Sequence, residues 1–213
     1  MKPNNKKTSP PEYKISFTVG ALFYQESVIT AELYIKKLGW TAVRDEIIKA
    51  NLFQARTVKT LKRVCSEIIS RLKLLTFEQL EIIHDGTRSE QCHILWVAIC
   101  KRHGFIRDFA IEVLREKFLR MDYALTQQDY AIFFDTKAQW HTELEVLKVS
   151  TQKKLKQVLF RMMREAEITS ADNIIIPSIL SKRVARALLN DIPGIHIVLP
   201  VADIQPVGRV SAA

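Results

Sequence analysis

The chain has 213 residues, 47% of them hydrophobic and 26% charged, which is ordinary usage for one large or two small globular domains and excludes a wholly disordered polymer. Its formal charge of +9 is unevenly spread: residues 1–14 carry +3, residues 54–75 carry +5 and residues 150–190 carry +5, so the remainder is net acidic. Charge gathered into a few segments is the footprint of a polyanion-binding protein, not of one that is merely soluble.

No apolar run approaches the roughly 20 residues of a membrane span, and the basic start lacks the apolar core of a secretion signal. Three cysteines, Cys65, Cys92 and Cys100, are an odd number and argue for a reducing compartment over a disulfide framework. The expected location is cytoplasmic, with no membrane partner.

In chain order, residues 1–14 read as a flexible basic arm. Residues 15–149 read as a helical body, inside which Trp40–Ala50 forms a short helix and residues 54–75 a long one, in a helix, turn, helix arrangement over about 40–75. On the long helix Val58, Leu61, Val64, Cys65, Ile68, Ile69 and Leu72 make an apolar stripe. Arg56, Lys59, Lys62 and Arg63 crowd the other side of its first turns, where a recognition helix meets DNA. Further helices follow from Thr76 to Ile83, opened by a capping Thr76, and from Thr87 to Arg102, Phe105 to Arg120 and Thr126 to Phe134, with short polar or glycine-containing joints. Phe133, Phe134 and Trp140, with Ile132 and Val146 nearby, read as core.

The last unit, residues 150–213, opens with an amphipathic helix over residues 150–167. Leu155, Val158, Leu159, Met162 and Ala166 recur at three- and four-residue spacing and want a core. Lys153, Lys154, Lys156, Arg161 and Arg164 lie between them, with no carboxylate until Glu165. Lys182, Arg183 and Arg186 on the next helix extend the same basic surface. A β-branched run at Ile174–Ile176 allows a small wing if residues 195–200 pair with it, making this a second basic helix-turn-helix or winged-helix-like module. The fold class is therefore all-α: a globular multi-helix bundle with helix-turn-helix elements and room for one small β wing.

No catalytic constellation stands out. Cys92, His93, Cys100 and His103 are close in sequence but lack the two turn-borne ligand pairs of a structural zinc site. His141 with Glu143 and Glu145, and His84 with Asp85, have neither a nucleophile nor an oxyanion site beside them. The expectation is no catalytic residue, no metal and no cofactor.

Three blocks carry a resemblance. Phe17-Thr18 with Gly20-Ala21-Leu22-Phe23 and Glu26-Ser27, then the run from Phe109 to Phe118, then the run from Lys154 to Ala166, resemble the BrxA family over about residues 13–199. The resemblance implies the small A component of BREX bacteriophage-exclusion systems. It further implies an all-helical fold with helix-turn-helix elements, a NusB-like similarity, and non-enzymatic binding of double-stranded DNA. Its neighbours in the system would be a methyltransferase, ATPases and a phosphatase-like protein. The partners expected are duplex DNA and other BREX proteins, with a monomer in isolation. Individual contact residues come from charge and helical phase alone. Basic helices do not distinguish A-form from B-form, so RNA stays open as a ligand, as does a scaffold role docking acidic proteins.

Overall fold

Threonine and serine side chains start most of the long helices. Thr57, Thr76, Thr87, Thr126 and Ser181 each accept a hydrogen bond from the backbone N–H three residues on, and Thr76, Thr87 and Thr126 complete reciprocal capping boxes with Gln79, Glu90 and Asp129. The computed structural model describes residues 12–15, 20–37 and 39–201. Within them run α1 (Tyr24–Lys37), α2 (Trp40–Ala50), α3 (Val58–Leu72), α4 (Phe77–Asp85), α5 (Arg88–Arg102), α6 (Gly104–Phe109), α7 (Glu116–Leu119), α8 (Gln127–Ala138), α9 (Thr142–Glu145), α10 (Val149–Glu165) and α11 (Lys182–Leu189). A π-helical stretch, Ala110–Arg115, joins α6 to α7 into one continuous rod, and Ile195–Val198 is a 3-10 turn. Removing a single cap tests how far these starts matter: Thr126→Ala should cost about 1 kcal/mol. For a chain this size that is a melting temperature lower by roughly 2–4 °C on thermal circular dichroism.

α5 is the axis of the molecule. Its residues from Gln91 to Cys100 are all buried, as expected of a helix surrounded on every side. α1, α3, α4, α6, α10 and the 3-10 turn pack around it. At its far end Phe105 and Phe109 meet Tyr130, Phe133 and Phe134 in edge-on and tilted contacts. Trp96 is wholly buried, and its indole N–H donates to the Val198 carbonyl at 2.7 Å, tying the C-terminal turn to the axis.

A second, smaller core holds α2 and the first half of α3 against α1. Val43, Ile47, Leu61, Cys65 and Ile69 form it, with Leu33, Tyr34, Trp40, Leu52 and Phe53 at its margin. The α2–α3 connection, residues 51–57, is braced from within. Asn51 ends α2 in the left-handed region (φ 46°), and its side chain exchanges two hydrogen bonds with the Ala55 backbone, at 3.0 and 3.2 Å.

The small wing is absent: among the described residues there are only two isolated bridges, Ala124 with Ile174 and Thr169 with Ile175. The backbone of the expected strand is already engaged, because the Ile175 and Ile176 N–H groups donate to Tyr123 and Ile168, and Ser170 donates to the Ile174 carbonyl. Residues 195–198, expected as its partner, instead coil into the 3-10 turn after Gly194, which sits at φ 78°. Residues 166–181 separate α10 from α11, far longer than the three or four residues of a helix-turn-helix turn. Of the expected basic arm, residues 1–11 lie outside the described residues. Tyr13 is packed, stacked on His141 at 3.9 Å with its hydroxyl donating to Asp108 at 2.7 Å.

Four apolar residues expected inside are outside. Val58 is 62% exposed, Ile132 59%, Trp140 69% and Val146 78%. Val58 opens α3 before that helix reaches its core, and Trp140 and Val146 flank the single turn of α9, which buries only Leu144.

Candidate nucleic-acid interface

α3 carries one acid, Glu67, and the fold turns it inward. Its carboxylate accepts from Arg71 Nε at 2.8 Å and from the His103 ring at 3.0 Å, while Arg71, 3% exposed, donates through Nη1 to the Ala21 carbonyl at 2.8 Å. Burial pushes the Glu67 carboxyl up, but the His103 hydrogen bond and the Arg71 charge outweigh it and hold the group at about 2. Burial likewise draws His103 below its ordinary value, so the ring favours its neutral form. The inward anion is thus neutralised by an inward cation.

The outer face of α3 keeps only positive charge. Arg56, Lys59, Lys62 and Arg63 are all exposed, and none makes an ion pair among the described residues. They surround the helix N-terminus, which has no acid in its first turn, so the helix dipole and the side chains present the same sign.

α10 has the same design with closer restraint. Leu155, Val158, Leu159, Met162 and Ala166 are buried as their spacing requires, and Phe160 and Met163 are buried beside them. The acid of this helix, Glu165, is committed to the body: it accepts the Leu22 backbone N–H at 2.6 Å and Arg161 Nε at 2.6 Å. Lys153 and Lys154 are exposed and Lys156 is half-buried, with no carboxylate partner among the described residues. Arg164 is exposed and donates to the Asn173 side chain at 3.2 Å.

The α11 cations are placed differently. Lys182 is exposed without an ion pair among the described residues, but Arg183 pairs with Asp85 at 2.7 Å and Arg186 with Glu78 at 2.8 Å, both on α4. They brace α11 against α4 instead of adding free charge to the α10 row. Sequence reading missed Arg88, whose guanidinium lies over the Tyr24 ring at 4.6 Å and pairs with Glu167 at 2.8 Å. It shares with Arg161 the wall of a cavity of about 410 Å³ at the start of α1. No periodicity marks it, because its partners, Tyr24 and Glu167, lie far from it in the sequence.

The cysteines and most of the histidines considered for metal or acid–base chemistry are buried. Cys92, His93, Cys100 and His103 are buried, and burial pushes the Cys100 thiol well above its ordinary value and Cys92 to about 11, which disfavours thiolate ligands. Among the described residues no group of three or more His, Cys, Asp or Glu is arranged to hold a metal ion. His141 donates toward Glu143 at 2.9 Å beneath Tyr13, while His84 is exposed on the last turn of α4.

Against known proteins, the BrxA family profile matches residues 11–191. The chain belongs to the BrxA family. A relative from Bacillus cereus (strain H3081.97), named BREX protein BrxA, is 31% identical over 155 residues, 72% of this chain and 77% of that protein. A BREX protein BrxA from Escherichia coli O9:H4 (strain HS) is 25% identical over 69% of each chain. An uncharacterised protein from Magnetospirillum magneticum, solved by crystallography, superposes with a TM-score of 0.76 at 22% identity and covers 89% of this chain and 98% of its own, a likeness of fold. The BrxA match spans both basic helices, so α3 and α10 belong to the shared architecture. Among the described residues no helix of this BrxA-family chain is long and apolar enough to cross a membrane.

Proposed function

We propose that this BrxA-family chain is a non-catalytic, double-stranded-DNA-binding component of a BREX phage-defence system, holding duplex mainly through phosphate contacts from α3 and α10. The observation that carries the reading is the inward turn of Glu67. It leaves the exposed first turns of α3, mounted on a braced helix, connection, helix unit, with Arg56, Lys59, Lys62 and Arg63 unopposed. Both basic helices present Lys and Arg in excess of the Asn and Gln that read base edges. Lys–phosphate and Arg–phosphate contacts position a duplex without specifying its sequence.

The test is a shift assay on purified protein with duplex DNA, duplex RNA and single strands over a salt series. With about five phosphates neutralised, log K for duplex DNA should fall against log salt with a slope near −4 to −5 and vary little between unrelated sequences. Duplex DNA incubated with the protein and magnesium or manganese should remain intact. Affinity independent of salt, or a clear preference for RNA, would move the function to a protein-docking or RNA-binding role.

A further inference from the structure

On the body, where α3 ends and α5 turns into α6, two hollows adjoin. One, of about 260 Å³, is walled mainly by Ile111, Ile192, Pro193 and Ile197; the other, of about 450 Å³, carries Lys14, Arg102, Lys137, Glu12 and Asp108. Leu74, Lys101 and Arg107 line both, so the two form one groove with an oily end and a charged end. Among the described residues nothing covers the oily end: Ile192 is 59% exposed and Leu74 43%.

The charged end keeps a net positive charge once the pairs are assigned, Lys14 and Arg102 standing against Glu12, the single acid there without an ion pair among the described residues. Lys101 is bound to Asp191 behind the wall, Lys137 to Glu112, and Arg107 to Asp108 at 3.3 Å. Arg102 has only the neutral Ser70 hydroxyl, at 3.1 Å, and Lys14 has no ion-pair partner among the described residues. A nearby anion with an aliphatic neighbour would satisfy both ends at once. Duplex DNA would not, since a phosphate backbone has no aliphatic group to set against a wall of isoleucines. A bilayer would need an apolar surface that protrudes, and this one is recessed.

We propose that this groove docks a short acidic-apolar segment of a partner protein, an Asp or Glu against Arg102 and Lys14 and an aliphatic side chain within a few residues of it against Ile192 and Leu74. The inference goes beyond DNA binding and does not depend on it. The groove abuts the last turn of α3, where Ser70 holds Arg102, whereas Lys59 stands at the other end of a helix roughly 20 Å long. Partner and duplex can therefore be held together.

The experiment pans a phage library of random twelve-residue peptides on the immobilised full chain, then measures recovered peptides, fluorescein-labelled, by polarisation. The expected result is a shared pattern of carboxylate within three residues of Leu, Ile or Val. Ile192→Asp should weaken binding at least tenfold while circular dichroism and duplex-DNA affinity stay as in wild type, and Lys14→Glu should weaken it at least tenfold with unchanged circular dichroism; both positions are exposed, so neither variant endangers the fold. No enrichment, recovered peptides without that pattern, binding indifferent to both variants, or displacement of the peptide by duplex DNA would each overturn the assignment.

Discussion

The triple variant Arg56→Ala, Lys59→Ala, Arg63→Ala is expected to bind duplex DNA roughly two to three orders of magnitude more weakly than wild type at 0.1 M salt. Each phosphate contact contributes close to one unit of the salt slope, so losing three flattens the slope by about three and removes a similar number of decades at tenfold below molar salt. The fold should survive. All three side chains are exposed, make no ion pair among the described residues, and lie off the buried face formed by Leu61, Cys65, Ile68 and Leu72. The matching variant on α10, Lys154→Ala, Arg161→Ala, Arg164→Ala, should cost less, because Arg161 and Arg164 must first release Glu165 and Asn173. Arg183→Ala with Arg186→Ala should leave DNA affinity nearly unchanged, since those charges already face Asp85 and Glu78. Shift assays on the three variants at matched helical content decide it, and equal affinity for wild type and the α3 variant would remove α3 from the interface.

How far the sequence disclosed this arrangement depended on whether an element has a period. α2, α3, α5, α8 and α10 were legible because their apolar residues recur at helical spacing or a capping threonine stands just before them. α1 was not. The side chains it buries include Ser27, Thr30 and Ala31, small groups that allow close packing against α4 and α5 but give no apolar stripe. The wing was expected from a β-branched run that the structure uses as irregular chain, its hydrogen bonds already taken by residues 123–125 and 168–170. Propensity alone does not say which hydrogen-bond partners a β-branched run meets.

The candidate site divides in the same way. Helical phase sets Lys59, Lys62 and Arg63 of α3 and Lys153, Lys154, Arg161 and Arg164 of α10 on the outside, because the face opposite a buried stripe is exposed by geometry, whereas Lys156 is half-buried. Phase says nothing about long-range ion pairs, so it could not show that Arg183 and Arg186 are neutralised from α4, or that Arg88 stands beside Arg161. Nor could it show that Glu67, the one acid of a basic helix, turns inward and leaves the outer face purely basic. That fact lives in contacts between residues 36 positions apart, Glu67 and His103.

Glu67→Gln should accordingly be among the most damaging exposed-looking substitutions in the chain. It leaves the Arg71 guanidinium, 3% exposed, without its counter-charge, and a buried cation stripped of its partner typically costs ~3–5 kcal/mol. For a chain of this length that corresponds to a melting temperature lower by roughly 10 °C. Wild-type stability should also depend on acid in a definite direction. Unfolded, Glu67 titrates near 4.5; folded, it is held at about 2, so its contribution is complete above 4.5 and declines as the pH falls toward 2. His103 adds the same sign: burial lowers it from 6.5, the unfolded chain takes up its proton first as the pH drops below that value, and stability falls with it. Urea denaturation between pH 7 and 3 should therefore show a wild-type midpoint that declines steadily, and a Glu67→Gln midpoint that is lower at pH 7 and declines less. Pairing the variant with Arg71→Met, which removes the stranded charge and keeps the volume, should recover much of the loss. A single variant that melts within 2 °C of wild type would mean that α3 is held by its apolar face alone, and the inward turn of Glu67 would then be a consequence of the packing and not a cause of it.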